Sequence, residues 1–371
     1  MLLLASRATA LFRPARVVSV GASSAFLFVT DNNNRTMSSF PAWQVDKVED
    51  GSFQGTEQTL SIDSLPHAEN GVLIRVTHSS LNYKDALSAS GNKGGVTRKF
   101  PHTPGIDAVG TLVESGEPCL VTGYDLGMNT AGGFGELIRV PSEWIVSPVP
   151  FAQPRTAMVY GTAGLTAGLC VQKLVENGKA TPQDGPVVVT GATGAVGTVA
   201  VELLAKLGFD VVAISGKPDK KDLLLQLGAK EVCGRDALDA TKKPLLKPIY
   251  AHGIDTVGGS PLAELLKQIQ PGGSVACCGL VAGAQLETTV LPFILRGVQL
   301  LGVDSVEIPL DAKKAVWDKL ATDWSCPQTE ASAVDIGRHQ LDPYLKAFLK
   351  GASSGKVVLD HSLTTTSSSN L

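Results

Sequence analysis

The chain has 371 residues, which is enough for two domains, and 43% of them are hydrophobic. Its formal net charge of −3 gives no electrostatic reason to expect nucleic acid or an anionic membrane as a partner. No apolar run approaches the roughly 18 residues that span a bilayer, so no membrane segment is expected. The six cysteines form no C-x-x-C pair, which indicates a reducing compartment.

Residues 1–36 are predicted to be a targeting segment rather than part of the fold. Four arginines stand there among Ala, Ser, Leu and Val, and the first acidic residue is Asp31. A basic, serine-containing and acid-poor segment is typical of an organellar transit peptide, and we favour a mitochondrial over a plastid address. The alternative is a disordered tail, with Met37 as a second start and a cytoplasmic location.

Residues 40–153 show short alternating strands separated by glycine and proline. The clearest alternation lies at 72–82, 110–115 and 135–140. This pattern predicts an all-β module, most simply a small barrel.

Residues 154–303 predict a doubly wound α/β domain. A helical stretch at 155–178 leads into six expected strands, at 187–190, 211–215, 231–233, 254–257, 274–278 and 298–303. Residues 304–361 return to helix and loop, and the segment 355–360 is expected to be a strand that closes the N-terminal module. The catalytic domain would then be discontinuous, followed by a polar, disordered tail at 362–371.

The stretch VVVTGATGAVG at 187–197 predicts a dinucleotide-binding turn, because a β-branched strand, spaced glycines and a helix follow one another. The first glycine permits a tight turn, the second lets backbone N–H groups approach a pyrophosphate, and the third allows close packing of helix on strand. A plain strand-to-helix loop is the alternative. The predicted cofactor contacts here are Gly191, Thr193, Gly194, Ala195, Val196 and Gly197.

The next strand favours NADPH over NADH. NAD enzymes usually place an Asp or Glu about 20 residues past the glycines, to bind the ribose 2′-OH. Here the strand ends instead in Ser215, Gly216 and Lys217. A hydroxyl and a cation can bind a 2′-phosphate through charge-assisted hydrogen bonds, whereas a carboxylate would repel it. The alternative is that Lys217 is a solvated loop lysine.

Eight segments together resemble one family. They are SSLNYKDAL (79–87), FPHTPGIDAVGT (100–111), GTAGLTA (161–167), VVVTGATGAVG (187–197), AISGK (213–217), IDTVG (254–258), CCGLVAG (277–283) and LPFILRGVQLLGVDSV (291–306). On these segments the chain is similar to zinc-free medium-chain dehydrogenase/reductases of the quinone-oxidoreductase branch, and more narrowly to acrylyl-CoA reductases. The resemblance implies a GroES-like β-barrel catalytic domain, a Rossmann domain, NADPH and a homodimer. The segment 113–123 is shorter than in the family, which leaves the local barrel geometry open.

We predict no metal site. A catalytic zinc ion needs three protein ligands and one open position. Zinc-dependent relatives carry a His-Glu pair in the segment where this chain has Pro104, Gly105, Ile106 and Asp107. The six histidines also show no ligand spacing.

Without a metal, hydrogen-bond donors must polarise a substrate carbonyl. The resemblance places Asn82, Tyr83 and Asp85 in a loop beside the nicotinamide. Tyr83 could donate a proton or a hydrogen bond to a developing enolate, or it could only pack against the nicotinamide; either role makes it a cofactor contact. Asp85 is expected to orient Lys84 or a backbone amide rather than to act as a base.

Further cofactor contacts complete the predicted site. Thr162 and Thr166 could bond the nicotinamide ribose or its phosphate, although small residues there also suit helix packing. Arg235 could stack on adenine, pair with a phosphate or be solvated. Gly279 and Leu280 follow the fifth expected strand at its carboxyl end, where open sheets bind their ligands. Ile294 and Ser305 are also predicted to contact the cofactor.

The predicted reaction is NADPH-dependent reduction of the C=C bond of an α,β-unsaturated thioester, acrylyl-CoA giving propanoyl-CoA. Hydride passes to the β-carbon while donors near Tyr83 and Asn82 hold the enolate. The alternatives are a quinone or enone reductase on the same scaffold, and a non-catalytic NADPH-binding protein.

Overall fold

The computed structural model describes residues 38–66, 70–91 and 96–364. The predicted targeting segment and residues 365–371 of the predicted tail lie outside the described residues, so those two predictions stay predictions. Within the described part of the chain, no helix is long and apolar enough to cross a membrane.

The N-terminal part is built of short strands and one helix. Its elements are β1 (Ser39–Lys47), β2 (Phe53–Ser61), β3 (Gly71–Ser80), α1 (Tyr83–Ala89), β4 (Asp107–Leu112), β5 (Pro118–Thr122) and β6 (Leu137–Pro141). The first two strands form an antiparallel hairpin, and β3 pairs antiparallel with both β4 and β6. Strand β4 turns directly into β5, where the N–H of Leu112 donates to the Glu117 carbonyl at 2.9 Å. The short segment at 113–123 therefore supplies the turn and the second strand of a closed β4–β5 hairpin.

The middle of the chain alternates helix and strand. Its elements are α2 (Pro154–Glu176), β7 (Val187–Thr190), α3 (Ala195–Lys206), β8 (Val211–Ile214), α4 (Lys221–Gln226), β9 (Glu231–Cys233), β10 (Tyr250–Asp255), α5 (Gly259–Leu266), β11 (Ile269–Cys277), α6 (Leu291–Arg296) and β12 (Gln299–Gly302). The six strands are parallel and lie in the order β12-β11-β10-β7-β8-β9. The predicted doubly wound, six-stranded parallel sheet is confirmed.

The last part of the chain returns to the first sheet. It contains α7 (Leu310–Ala321), α8 (Pro327–Ala331), β13 (Val334–Ile336), α9 (Leu341–Leu349) and β14 (Val357–Asp360). Strand β14 lies between β13 and β3, with Val358 opposite Ser80. The expected closing strand is therefore present, and the β-domain is discontinuous.

Helix α2 connects the two sheets and positions the site. It contacts β3, β4 and β14 on one side and α3, β10 and β11 on the other. Fully buried apolar residues of α2, among them Leu165 and Val171, pack in one core with Val187 and Val189 of β7 and with Trp317 of α7. Burial of this much apolar surface fixes the helix against both domains.

Candidate active site

Asp107, the first residue of β4, is fully buried and gathers polar groups from three elements. Its Oδ2 accepts hydrogen bonds from Asn82 Nδ2 at 2.8 Å, from the Thr162 N–H at 2.9 Å and from the Ser80 hydroxyl. Its Oδ1 accepts from Thr162 Oγ1 at 2.6 Å. The loop after β3 and the middle of α2 therefore meet at one carboxylate, which brings the predicted Asn82 and Thr162 together.

Helix α2 breaks at Gly161, just before Thr162. Gly161 has φ +47° and ψ −156°, a backbone conformation that side chains rarely adopt. A Cβ on this residue would lie 2.5 Å from Ser80 Oγ and 2.6 Å from Asp107 Oδ2. Glycine therefore lets the backbone pass close to Asp107 and turns the Thr162 N–H toward its carboxylate.

Asp85 fixes the loop that carries Asn82 and Tyr83. It is fully buried, and its two carboxylate oxygens accept from the N–H of Asn82 at 2.7 Å and from the N–H of Ile106 at 2.8 Å. Burial and the neighbouring Asp107 charge raise the pKa of Asp85 to about 7. This geometry favours the orienting role that the sequence suggests. Tyr83 opens α1 and packs, partly buried, against an apolar cluster of the β-domain.

A second group of predicted residues lies on α2 and α6 and after the ends of β11 and β12. Thr166 Oγ1 is 2.7 Å from both the Thr162 carbonyl and Ser305 Oγ, and both hydroxyl residues are buried. Gly279 and Leu280 follow β11, and Leu280 is 56% exposed. Ile294, on α6, is 68% exposed, so its side chain faces solvent rather than the buried groups around Asp107.

The dinucleotide turn joins β7 to α3 at the point where the strand order reverses. Ligands of open parallel sheets bind at this point, outside the carboxyl ends of the strands. A Cβ on Gly197 would overlap the Gly191 carbonyl, so helix and turn pack as closely as the sequence predicts. Thr193 Oγ1 lies 3.0 Å from Ser215 Oγ, which links the turn to the end of β8.

Two cations flank the residue that follows Ser215. A Cβ on Gly216 would overlap the guanidinium of Arg235. Burial and the Arg235 charge lower the pKa of Lys217, so the two cations lie close enough to repel each other. Such a pair fits a bound phosphate group, which would neutralise both charges. Lys217 Nζ here donates to the carbonyl of Ser353, a residue shortly before β14.

No group of three or more His, Cys, Asp or Glu side chains is placed to hold a metal ion within the residues that the structure describes. The prediction of a metal-free site stays a prediction.

Comparison with known proteins gives the family. Residues 68–150 match the model of the alcohol dehydrogenase GroES-like domain, and residues 195–322 match that of zinc-binding dehydrogenases. The chain is 44% identical to the putative quinone oxidoreductase YhfP of Bacillus subtilis over 81% of this chain and 93% of that protein. The chain belongs to the medium-chain dehydrogenase/reductase family. The GroES-like and Rossmann assignments made from the sequence are confirmed.

Two further relatives of this medium-chain dehydrogenase/reductase bear on its chemistry. The acrylyl-CoA reductase AcuI of Ruegeria pomeroyi is 42% identical, over 86% of this chain and 99% of that protein. YhdH of Escherichia coli K-12, solved with bound NADPH, is 43% identical with a TM-score of 0.80 over 86% of this chain and 99% of that chain. YhfP has been solved with NAD bound and superposes with a TM-score of 0.81, at 41% identity, over 87% of this chain and 100% of that chain.

The residues that organise this medium-chain reductase site are not evident from the sequence. Asp107 stands out there only as the place where zinc-dependent relatives carry a His-Glu pair. Ser80, Asp107 and the buried Lys356 become visible as a group only when β3, β4 and β14 are adjacent in the sheet. The sequence does offer one signal for Asp107, a carboxylate at the start of an apolar strand. Such a carboxylate is expected to be buried, and a buried charge requires hydrogen-bond partners.

Proposed function

We propose that the chain catalyses NADPH-dependent reduction of the C=C bond of an α,β-unsaturated acyl-CoA, with acrylyl-CoA giving propanoyl-CoA. The observation that carries the proposal is the meeting of the Asn82–Tyr83 loop and Thr162 at Asp107, beside the dinucleotide-binding domain. The similarity to AcuI over 99% of that protein supports the thioester substrate.

The dinucleotide turn and the end of β8 supply the features that NADPH needs. A Cβ on Gly191 would lie 2.4 Å from Thr256 Oγ1 and one on Gly197 would lie 2.4 Å from the Gly191 carbonyl, so these glycines keep the turn tight. The N-terminus of α3, capped by Gly194, offers backbone N–H groups to a pyrophosphate. Lys217 and Arg235 are the two cations placed to bind a 2′-phosphate. Bound NADPH supplies the hydride that adds to the β-carbon.

The residues of the catalytic domain then act on the substrate oxygen. Asp107 fixes the Asn82 amide, and Asp85 fixes the backbone of the same loop, so Tyr83 starts α1 in a defined position. A hydroxyl donor there stabilises negative charge that develops on the thioester oxygen as the β-carbon is reduced. Donors held in advance by buried carboxylates need no reorganisation during the reaction.

A quinone or enone reductase is the second candidate, favoured by the name of YhfP. A protein that binds NADPH without turnover is the third. NADPH oxidation should be measured with acrylyl-CoA, crotonyl-CoA and a benzoquinone, together with identification of the product. Propanoyl-CoA formation much faster than quinone reduction supports the proposal. Quinone turnover alone, or cofactor binding without turnover of any acceptor, would contradict it.

We also propose a homodimer. Strand β12 is at the edge of the parallel sheet, and the neighbouring apolar side chains of Val290, Ile294 and Leu295 are 63–68% exposed. An open strand edge next to exposed apolar residues suits pairing with a second copy. Sedimentation equilibrium should give twice the chain mass, and Ile294→Glu should shift it to the monomer.

Mitochondrial import remains the proposal for residues 1–36. Fusion of this segment to a fluorescent protein should direct it to mitochondria, and plastid or diffuse cytoplasmic fluorescence would contradict the assignment.

A further inference from the structure

Lys356 is a fully buried lysine directly before β14. Its Nζ donates to the Tyr160 carbonyl over a long distance, 3.3 Å. An ammonium group has three N–H donors, and a charge removed from water is costly without compensating charges nearby. The position therefore needs an electrostatic explanation.

The compensating charges are the two buried carboxylates of the site. Asp107 and Asp85 both favour the charged form of Lys356, while burial acts in the opposite direction and is the larger effect, so that the pKa of the lysine falls to about 8. Burial and the Asp107 charge in turn raise the pKa of Asp85. Lys356 is therefore a buried cation whose charged form is favoured by both carboxylates.

The hydrogen bond of Lys356 is made directly beside the break in α2. The Tyr160 carbonyl is next to Gly161, where α2 breaks, and Thr162 on the far side of the break is held by Asp107. Lys356 and Asp107 thus hold the two sides of the break.

The segment that carries Lys356 reaches the cofactor turn as well. The N–H of Gly355 donates to the Thr193 carbonyl at 2.9 Å, and the Ser353 carbonyl accepts from Lys217. Residues 353–356 therefore run from the dinucleotide turn to the polar groups around Asp107.

We propose that Lys356 is a positioning residue for the reaction, because its ammonium group attracts the Asp107 carboxylate and holds the break in α2, so that Asn82 and Thr162 keep their places at that carboxylate. This inference rests on the proposed function for its kinetic readout. Its electrostatic part concerns the coupling of Lys356 to Asp107 and is independent of the substrate.

The kinetic test uses Lys356→Met, which keeps the length of the side chain and removes its charge. With acrylyl-CoA and NADPH, kcat should fall on the order of 100-fold with little change in KM. The reason is that a small misplacement of groups near the reacting atoms slows the chemical step more than it weakens substrate binding. Lys267→Met is the matched control, because Lys267 is also buried but pairs with Glu264 at 2.6 Å inside the Rossmann domain. The control should lose stability and keep its kcat. An unchanged kcat in Lys356→Met would overturn the proposal.

A pH profile separates positioning from a purely structural role. Lys356 should lose its proton near pH 8, so kcat of the wild type should fall above that pH. Arginine stays charged at this pH, so Lys356→Arg should move the alkaline limb upward even if its kcat is lower. Lys313 is also buried, with a pKa lowered to about 8 by burial. A limb that does not move in Lys356→Arg belongs to another group, such as Lys313, and contradicts the proposal.

The stability of the apo-protein tests the coupling of Lys356 to Asp107 without any cofactor or substrate. Chemical unfolding of Lys356→Met, Asp107→Asn and the double variant gives a mutant cycle for the apo-protein. The double variant should lose less stability than the two single variants added together. Additive losses would show that the two charges are not coupled and would overturn the inference. If the wild type reduces none of the three acceptors, the proposed function fails while this cycle still decides whether the two charges are coupled.

Discussion

At the end of β8, the side chains of Ser215, Lys217 and Arg235 are the proposed basis for a preference for NADPH over NADH, since the glycine turn itself suits either dinucleotide. Lys217→Ala should weaken NADPH binding by about ten- to a hundred-fold, because one charge-assisted contact is worth roughly 1.5–3 kcal/mol. Binding of NADH should change little. Fluorescence titration of both cofactors measures this. Lys220→Ala removes a neighbouring lysine paired with Asp219 at 3.6 Å and serves as the control. Equal wild-type affinity for NADPH and NADH would exclude the assignment.

Tyr83 has two possible roles that conservative substitution separates. If its hydroxyl stabilises the enolate, Tyr83→Phe should lower kcat by roughly 10²–10³ with little change in KM, because such donors are worth about 2.7–4 kcal/mol. If the ring only packs against the nicotinamide, the Phe variant keeps its kcat and Tyr83→Ala weakens NADPH binding. Steady-state kinetics and NADPH dissociation constants of both variants decide, and a Phe variant with full kcat would end the donor hypothesis.

The individual residues differ in how readily the sequence reveals them. The role of Ser215 and Lys217 in cofactor choice could be predicted from their position along the chain. They stand at the end of the strand that follows the glycine turn and its helix. Asp107 could not, because its partners Asn82 and Thr162 are 25 and 55 residues away along the chain. Contacts at such separations depend on which strands become neighbours, and residue type carries little information about that.

The break in α2 is the element-level feature with the sharpest consequence. Gly161→Ala should destabilise the protein by about 2–5 kcal/mol, since it combines a positive φ with overpacking against Ser80 and Asp107. The reference is Gly116→Ala, because Gly116 has φ +74° in the hairpin after β4 and no atom within 4 Å of the added Cβ. That variant should lose only about 1–2 kcal/mol.

Denaturant unfolding of the two alanine variants provides the comparison, and kcat should fall in the Gly161 variant alone. Similar stability losses in both would mean that the backbone near Asp107 adjusts freely, contrary to the close approach of Gly161 to that carboxylate.

The elements themselves were predicted better than their irregularities. The sequence indicates one continuous helix at 155–178, because apolar spacing reports burial and not backbone angles. The fifth strand of the parallel sheet is expected at 274–278, whereas β11 starts at Ile269. The register shifts between Tyr250 and His252 as they pair with β11, and the polar, glycine-containing residues 270–273 on β11 interrupt the apolar signal there.

At the level of the whole molecule, His361 joins the end of the chain to the body of the β-domain. Its Nε2 is 2.8 Å from the Gly133 carbonyl and its Nδ1 is 2.8 Å from Arg338 Nη1, a donor, so the neutral ring fits. Burial, and further the Arg338 charge, lower the pKa of His361 to about 3. Between about pH 6.5 and 3 the unfolded chain binds a proton that the folded chain excludes, so stability is lost as the pH falls through this window.

The loss attributable to His361 should be about 2 kcal/mol between pH 6.5 and 4.5. His361→Gln, which can still accept from Arg338 and donate to Gly133, should flatten the pH dependence of the unfolding free energy. His339→Gln changes an exposed histidine and should leave the slope as in the wild type. A wild-type slope in His361→Gln would assign the acid sensitivity to other groups.

The discontinuous architecture could be predicted because GKVVLD is a short apolar strand far from any partner in sequence. The position of that strand between β13 and β3 could not be predicted, since many edges accept a strand of four residues. The packing of Lys356 beneath α2 depends on that position.

The place of β14 also sets an order of events during synthesis. Residues 154–303 contain every strand of the parallel sheet, so a nascent chain can complete this domain while the final part is still in the ribosome. The β-domain has to wait, although most of it is made first, because Ser79 and Ser80 pair with residues 358–359. Until residues 358–359 emerge, this end of β3 is an unpaired strand edge. Such an edge can bind chaperones or pair with the wrong strand.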